Sequence, residues 1–248
     1  MRIYDNKLNT VEERVLNESA LRDNSYPGRG IIMGINSSGT HFVQVYWLMG
    51  RSENSRNRIF VVENNTLRTR AYDPSKVEDP SLIIYDAMVE IDNMHIVSNG
   101  DQTSTIANLL DQGKTFEEAL TARTYEPDAP HFTPRISGVY ATCGTAKLSI
   151  IRKNNEKTDH KTFNIDLQNT VPGEGFCLHT YKSDGNPLPS FDGDPLVVGL
   201  LESAEETANK FWGLLNEDNR ISIGVKFIPL DGGDPEFNII NKNGDRQK

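Results

Sequence analysis

IIMGINSSGTHFVQVYWLM, residues 31–49, holds two apolar runs parted by the turn-forming tetrad Asn36, Ser37, Ser38 and Gly39. The first run, 31–35, is short and apolar throughout, as a strand buried on both faces would be. The second, 40–49, is β-branched and aromatic with partial alternation, which also reads as a strand. A link this short returns the chain directly on itself, so the pair predicts an antiparallel hairpin.

Working outward, Tyr26-Pro27-Gly28-Arg29-Gly30 is a turn that delivers the chain into the first strand. Downstream, 58–63 and 65–71 read as a second hairpin across Asn64-Asn65, and 82–90 and 94–99 continue the strands. Helical spacing then takes over at 103–111 and 115–122, where Thr115 and Glu118 have the spacing of a capping box. Strands are expected again at 136–140, 146–152, 161–167 and 175–181. A helix follows at 204–215, with Ala204, Ala208, Phe211, Trp212 and Leu215 along one face. The last expected strand is 221–228. Residues 1–25 are a polar extension with a weak helical pattern in Val11, Val15, Leu16 and Leu21, and the tail 245–248 is expected to fray.

Strands and helices come in blocks rather than in alternation. That order favours an α+β fold of antiparallel sheets with helical layers outside. Without an internal repeat or a Pro/Gly/Ser-rich linker, residues 1–248 are expected to form a single domain. The loop 184–195 (DGNPLPSFDGDP) is either a lid or a long turn.

The 248 residues are 36% hydrophobic and 25% charged, with a formal net charge of −9. No apolar run approaches the roughly 20 residues of a membrane helix. The N-terminus lacks the apolar core of a secretory signal, so a cytoplasmic location is expected. An acidic chain is a poor non-specific binder of nucleic acid. Within it, however, arginines stand at 51, 56, 58, 68 and 70, with Arg29 upstream, against Glu53 and Glu63 alone. A basic pocket in an acidic protein suits a small anion. Cys143 and Cys177 have no metal-like spacing and are expected as reduced thiols. The five histidines have no metal-ligand spacing either, so no metal is expected. Phosphate-loop, dinucleotide and zinc-protease motifs do not occur.

Three segments carry chemistry-bearing residues. In 49–58 (MGRSENSRNR), Arg51, Arg56 and Arg58 offer guanidinium forks beside Ser52 and Asn57, suited to a phosphate or a developing oxyanion. A solvated loop with locally paired arginines is the plainer alternative. In 98–103 (SNGDQT), backbone N–H groups at a helix start favour anions, and Asn99 could present its amide to a base or carbonyl. Simple turn and cap chemistry accounts for that segment equally well. In 125–136, Glu126 and Asp128 precede a strand within a proline-stiffened loop, where a carboxylate could act as a general base or be a surface acid. Tyr85, within the expected strand, is most simply a core tyrosine.

Taken together, YPGRG (26–30), GRSENSRNR (50–58), DPSLIIYD (79–86), VSNGDQT (97–103), YEPD (125–128) and TPRIS (133–137) resemble the archaeal-type IMP cyclohydrolase family. The resemblance implies an αββα four-layer sandwich like that of N-terminal-nucleophile hydrolases, without an N-terminal nucleophile in use. It also implies closure of 5-formamidoimidazole-4-carboxamide ribonucleotide (FAICAR) to IMP with loss of water, and no cofactor. By motif position the catalytic set falls on Arg58, Tyr85, Glu126 and Asn99. The loop here is longer than in short archaeal relatives, so Arg56 and Arg58 both stand as candidates for the catalytic arginine. The substrate-binding set falls on Arg29, Arg51, Ser52, Arg56, Asn57, Gly100, Asp101, Thr103 and Arg135. The expected partner is a purine ribonucleotide, with neither nucleic acid nor membrane involved and a homo-oligomer left open. A non-catalytic purine-nucleotide-binding protein and an amidohydrolase using Cys143 or Cys177 are the alternatives.

Overall fold

The structure is a computed structural model that describes residues 6–77, 80 and 83–244, the side chains of 6–10 excepted. The tail expected at 245–248 and positions 79, 81 and 82 of the 79–86 motif lie outside the described residues. In chain order the elements are α1 (Asn6–Asp23), β1 (Gly30–Ile35), β2 (His41–Met49), α2 (Glu53–Arg56), β3 (Arg58–Glu63) and β4 (Thr66–Ala71). Then come β5 (Asp86–Ile91), β6 (Met94–Ser98), α3 (Gln102–Asp111), α4 (Phe116–Thr121), β7 (Arg135–Ala141), β8 (Thr145–Asn154) and β9 (Lys157–Ile165). The chain closes with β10 (Glu174–His179), β11 (Leu196–Gly199), α5 (Ala204–Leu214), β12 (Arg220–Pro229) and β13 (Glu236–Asn241).

β1 and β2 pair antiparallel, Ile31 opposite Tyr46 and Ile35 opposite Phe42. They form the centre of a six-stranded antiparallel sheet in the order β11-β10-β1-β2-β12-β13. The other sheet runs β3 to β9 in sequence order, each strand beside its predecessor. Between the sheets lie Ile31 and Met33 with Phe42, Tyr46 and Leu48, packed against Phe60, Val97, Ile136 and Leu148. The opposite face of the hairpin, Ile32, Val43, Val45 and Trp47, packs with Ala204, Ala208 and Phe211 of α5. Burial on both faces is why these strands show little polar alternation. On the far side, Ile96, Val139 and Ile151 receive Ile106, Phe116 and Leu120 of α3 and α4. The layers are therefore helix, sheet, sheet, helix, as the blocked order of elements predicts.

Local signals act as expected at several joints. Asn64 and Asn65 turn the β3–β4 hairpin with φ of 50° and 59°, left-handed values that asparagine tolerates. Thr115 and Glu118 form a complete capping box on α4, and Ser203 and Glu206 form another on α5.

The structure also corrects the expected elements. The strand expected over 82–90 begins only at Asp86, which pairs with Arg68 beyond a register shift between Leu67 and Arg68. Tyr85 precedes the strand and is tied to Thr69, whose backbone N–H and hydroxyl both donate to the Tyr85 carbonyl. The strand at 221–228 is not the last, since β13 follows and pairs with it. β11 was also not anticipated; its four residues emerge directly from the Pro- and Gly-rich loop.

α1 is a surface helix, but it docks through polar side chains. Val11, Val15 and Leu16 face solvent while Leu21 is buried. Asn17 donates to the Val197 carbonyl at 2.9 Å, and Glu18 accepts the Gly199 N–H at 2.8 Å. Those bonds close the outer edge of β11, which has a strand on one side only. No helix among the described residues is long and apolar enough to cross a membrane.

Candidate active site

The starts of β1, β3 and β7 and the ends of β2, β6 and β10 gather at one end of the sandwich. Gly30 pairs with both Trp47 and His179, and Ser98 pairs with Ser137. Arg29, Arg58 and Arg135 stand just before or at the first residue of their strands, so antiparallel topology alone draws them together.

The turn 26–30 threads a tight passage. A Cβ at Gly28, where φ is +74°, would lie 2.2 Å from Thr180 Oγ1, and one at Gly30 would lie 1.9 Å from the Trp47 ring. The Trp47 indole donates to the Gly28 carbonyl at 3.0 Å. This fixes Arg29, whose guanidinium grips Glu126 with two hydrogen bonds of 2.9 Å and reaches the Asn99 carbonyl at 3.0 Å. Glu126 is buried, and burial pushes its carboxyl up while facing Arg29 pulls it back. Burial works against the charge on Arg29, but Glu126, with Tyr85 and Tyr46 near, holds the guanidinium firmly protonated.

Beside this pair, the hydroxyls of Tyr46 and Tyr85 are 2.6 Å apart and buried. Burial first, then Tyr85, drives the Tyr46 phenol well above its ordinary range, against the pull of Arg29 and Arg58. Arg58 is only 3% exposed. Its Nε donates to the Ser55 carbonyl at 2.8 Å and its Nη2 to the Ser55 hydroxyl at 3.0 Å. Among the described residues it has no carboxylate partner. A buried cation without a counter-ion is costly unless an anion visits it. Tyr85 also borders a cavity of about 400 Å³ with Arg68, Asp86, Asp101 and Ser104.

An aromatic wall completes the group. Tyr26 stacks on Tyr181 with centroids 5.9 Å apart, and the Arg51 guanidinium lies 4.8 Å from the Tyr26 ring centre. Arg51 is held there by Asp184 of the loop 184–195, at 2.5 Å. The Tyr181 hydroxyl bonds Thr133, whose N–H donates to Asp128 at 2.7 Å.

A buried two-point Arg–Glu pair, a tyrosine hydroxyl pair and an arginine without a carboxylate partner among the described residues are groups whose chemistry suits proton transfer and oxyanion stabilisation. The family profile described as "IMP cyclohydrolase-like protein" matches residues 26–232, which takes in every residue of this cluster. The chain belongs to the IMP cyclohydrolase-like family. Its relatives include the IMP cyclohydrolase of Methanosphaera stadtmanae, 29% identical over 164 residues, 63% of this chain and 74% of that one. That of Methanocaldococcus jannaschii is 26% identical over 212 residues, 84% of this chain and 96% of its own. The Methanopyrus kandleri protein is 34% identical over 115 residues, 45% of this chain and 57% of its own.

Within this IMP cyclohydrolase-like chain the candidate residues part into two groups. Arg29, Arg51, Arg58, Tyr85 and Glu126 converge on the cluster just described. The others, Arg56 apart, lie around it in bracing hydrogen bonds. Asn99 is fully buried; its amide donates to the Pro134 carbonyl at 2.9 Å, and its oxygen accepts from Gln102 and from Ile136 N–H. The Thr103 hydroxyl donates to the Gly100 carbonyl at 3.0 Å. Arg135 bonds Asp101 at 2.8 Å and Gln102 at 2.6 Å. Gly100 leaves room for these groups, since a Cβ there would lie 3.0 Å from Arg135 Nη1 and 3.3 Å from Glu126 Oε1.

In the arginine loop, Ser52 caps α2 and Asn57 clamps the backbone of Asp73 through two hydrogen bonds. Arg56 is exposed and turned toward the Gly50 carbonyl and Asn219, away from the tyrosines. The short helix α2, unforeseen from the sequence, rotates it out and leaves Arg58 facing in. Tyr46 escapes sequence reasoning because it sits in an apolar strand, and Tyr181 because it stands two residues beyond β10 in a polar stretch; only their hydroxyls mark them. Cys177 lies in the helix-facing core, where burial raises its thiol far above the usual range. Cys143 is exposed beyond the far end of β7 from Arg135. Neither thiol is placed to attack a ligand held by the cluster.

Proposed function

We propose that this cluster closes FAICAR to IMP and water. The observation that carries the reading is Arg58, a buried guanidinium lacking a carboxylate partner among the described residues, beside hydroxyls able to move protons. The carboxamide nitrogen is a weak nucleophile that attacks a formyl carbon of its own molecule. Holding the two groups face to face is the first contribution of the site. As the C–N bond forms, the formyl oxygen gains negative charge, which Arg58 stabilises. Two protons must leave nitrogen and end on that oxygen, which departs as water when its C–O bond breaks. Glu126 takes a proton from nitrogen, and Tyr85 delivers one to the departing oxygen.

Arg29 keeps the Glu126 carboxylate oriented and tempers its basicity. Asn99 acts by position, presenting its carbonyl to Arg29 and holding Gln102. Arg51, on the more open side over Tyr26, is placed for the 5′-phosphate, while Tyr26 and Tyr181 offer the base a flat surface. The ligand is a purine ribonucleotide, and the chain works in the cytosol as a single domain without a metal or organic cofactor. Protein mixed with FAICAR should release IMP, and Glu126→Gln should still bind IMP while losing turnover. A Glu126→Gln protein with wild-type turnover would remove the carboxylate from the reaction.

A further inference from the structure

Tyr46 has no role in the chemistry above, yet its placement is unusual for a core tyrosine. It sits on the inward face of β2 with no exposed surface, its ring 5.4 Å from Phe60 and its backbone between Ile31 and Gly224. The hydroxyl has one hydrogen-bond partner among the described residues, Tyr85 Oη at 2.6 Å. The charged or titratable groups acting on it are Tyr85, Arg29 and Arg58. Tyr85 is the outer member of the pair, 7% exposed where Tyr46 is 0%.

We propose that Tyr46 is a positioning residue for Tyr85, its buried hydroxyl donating to Tyr85 Oη, aiming that oxygen and stabilising it as its proton leaves for the substrate. This rests on the cyclohydrolase reading and on Tyr85 as the proton donor. Two hydroxyls this close share one donor. A phenol whose burial keeps it protonated is the natural donor, which frees the Tyr85 proton to travel. The proton passes from Tyr85 to the departing oxygen, and the charge left on Tyr85 faces the Tyr46 O–H and two guanidinium groups.

The test measures kcat and KM with FAICAR for wild type, Tyr46→Phe, Tyr85→Phe and the double variant. A hydrogen bond to a developing anion corresponds to roughly 10- to 100-fold in rate. Tyr46→Phe is expected to lower kcat by about that factor, with KM little changed and no further loss in the Tyr85→Phe background. Incorporating 3-fluorotyrosine at position 46 keeps the donor and should keep turnover, which covers the case of a Phe variant that folds poorly. Wild-type kcat in Tyr46→Phe, an undiminished loss in the Tyr85→Phe background, or a fluorotyrosine protein as slow as the Phe variant overturns the assignment alone. No turnover by folded wild-type protein overturns the cyclohydrolase reading and this assignment together.

Discussion

The guanidinium of Arg29 and the carboxylate of Glu126 face each other through two hydrogen bonds of 2.9 Å, in a site where the side chains are 13% and 3% exposed. The pair joins the turn before β1 to the loop before β7, 97 residues apart in the chain. Glu126→Ala leaves a buried guanidinium uncompensated, a change that typically costs about 3–5 kcal/mol. Urea unfolding should show a loss of that order. Combining Arg29→Ala with Glu126→Ala should then cost less than the sum of the single losses. Strict additivity would mean that the two charges are not coupled.

Arg58 and Arg56 separate the two arginines that motif position leaves open. Arg58 is buried toward the tyrosines, and Arg56 is exposed toward Asn219. Arg58→Ala should lower kcat by about 100- to 1,000-fold, the usual effect of losing an oxyanion donor. Arg56→Ala should stay within a few-fold of wild type. The reverse ranking in steady-state assays would move the catalytic position to α2.

Two buried histidines set a pH dependence of stability. His95 and His179 are each pushed down to about 4, chiefly by burial; at His95 the charge of Lys226 adds to this and Glu90 opposes it. An unfolded histidine titrates near pH 6.5. Between about 6.5 and 4 the unfolded chain therefore binds more protons than the folded one, and stability falls as pH is lowered through that window. The urea midpoint should be level near pH 7 and drop toward pH 5. Each histidine steepens the fall by at most about 1.4 kcal/mol per pH unit. His179→Asn should flatten the slope, and an unchanged slope would place the effect elsewhere.

At the opposite edge, Glu18 of α1 accepts from Gly199 N–H and from Lys210 Nζ at 2.8 Å and 2.6 Å. Glu18→Ala leaves the partly buried Gly199 N–H without its acceptor and Lys210 Nζ with the Gly199 carbonyl at 2.8 Å, and should cost about 1–3 kcal/mol. Activity per folded molecule should not change, because no residue of the cluster lies on α1. A large drop in kcat at full folding would show that the extension reaches the site.

The layered fold was legible because strands and helices come in blocks and their local signals are strong: the asparagine turn at 64–65, the capping box at Thr115, and the apolar hairpin at 31–49. β11 and β13 were not legible: β11 has only four residues and follows the Pro- and Gly-rich loop, and β13 follows a Gly- and Asp-rich turn, each lying at a sheet edge beside the strand that precedes it. Arg58, Tyr85 and Glu126 could be named from motif order, but their company could not. Arg29 and Glu126 meet only because antiparallel strands bring their flanking loops to one end. Tyr46 is hidden by an inward-facing position that reads as core, and the roles of Asn57 and Asn99 as braces emerge only from their backbone partners.

The most direct measurement follows IMP formation from FAICAR by the purified, folded protein, with Arg58→Ala alongside as a control. Steady production of IMP without added metal or cofactor, reduced at least about 100-fold in the variant, is the predicted result. Folded wild-type protein that binds IMP and forms none, or equal rates from wild type and Arg58→Ala, would contradict the account.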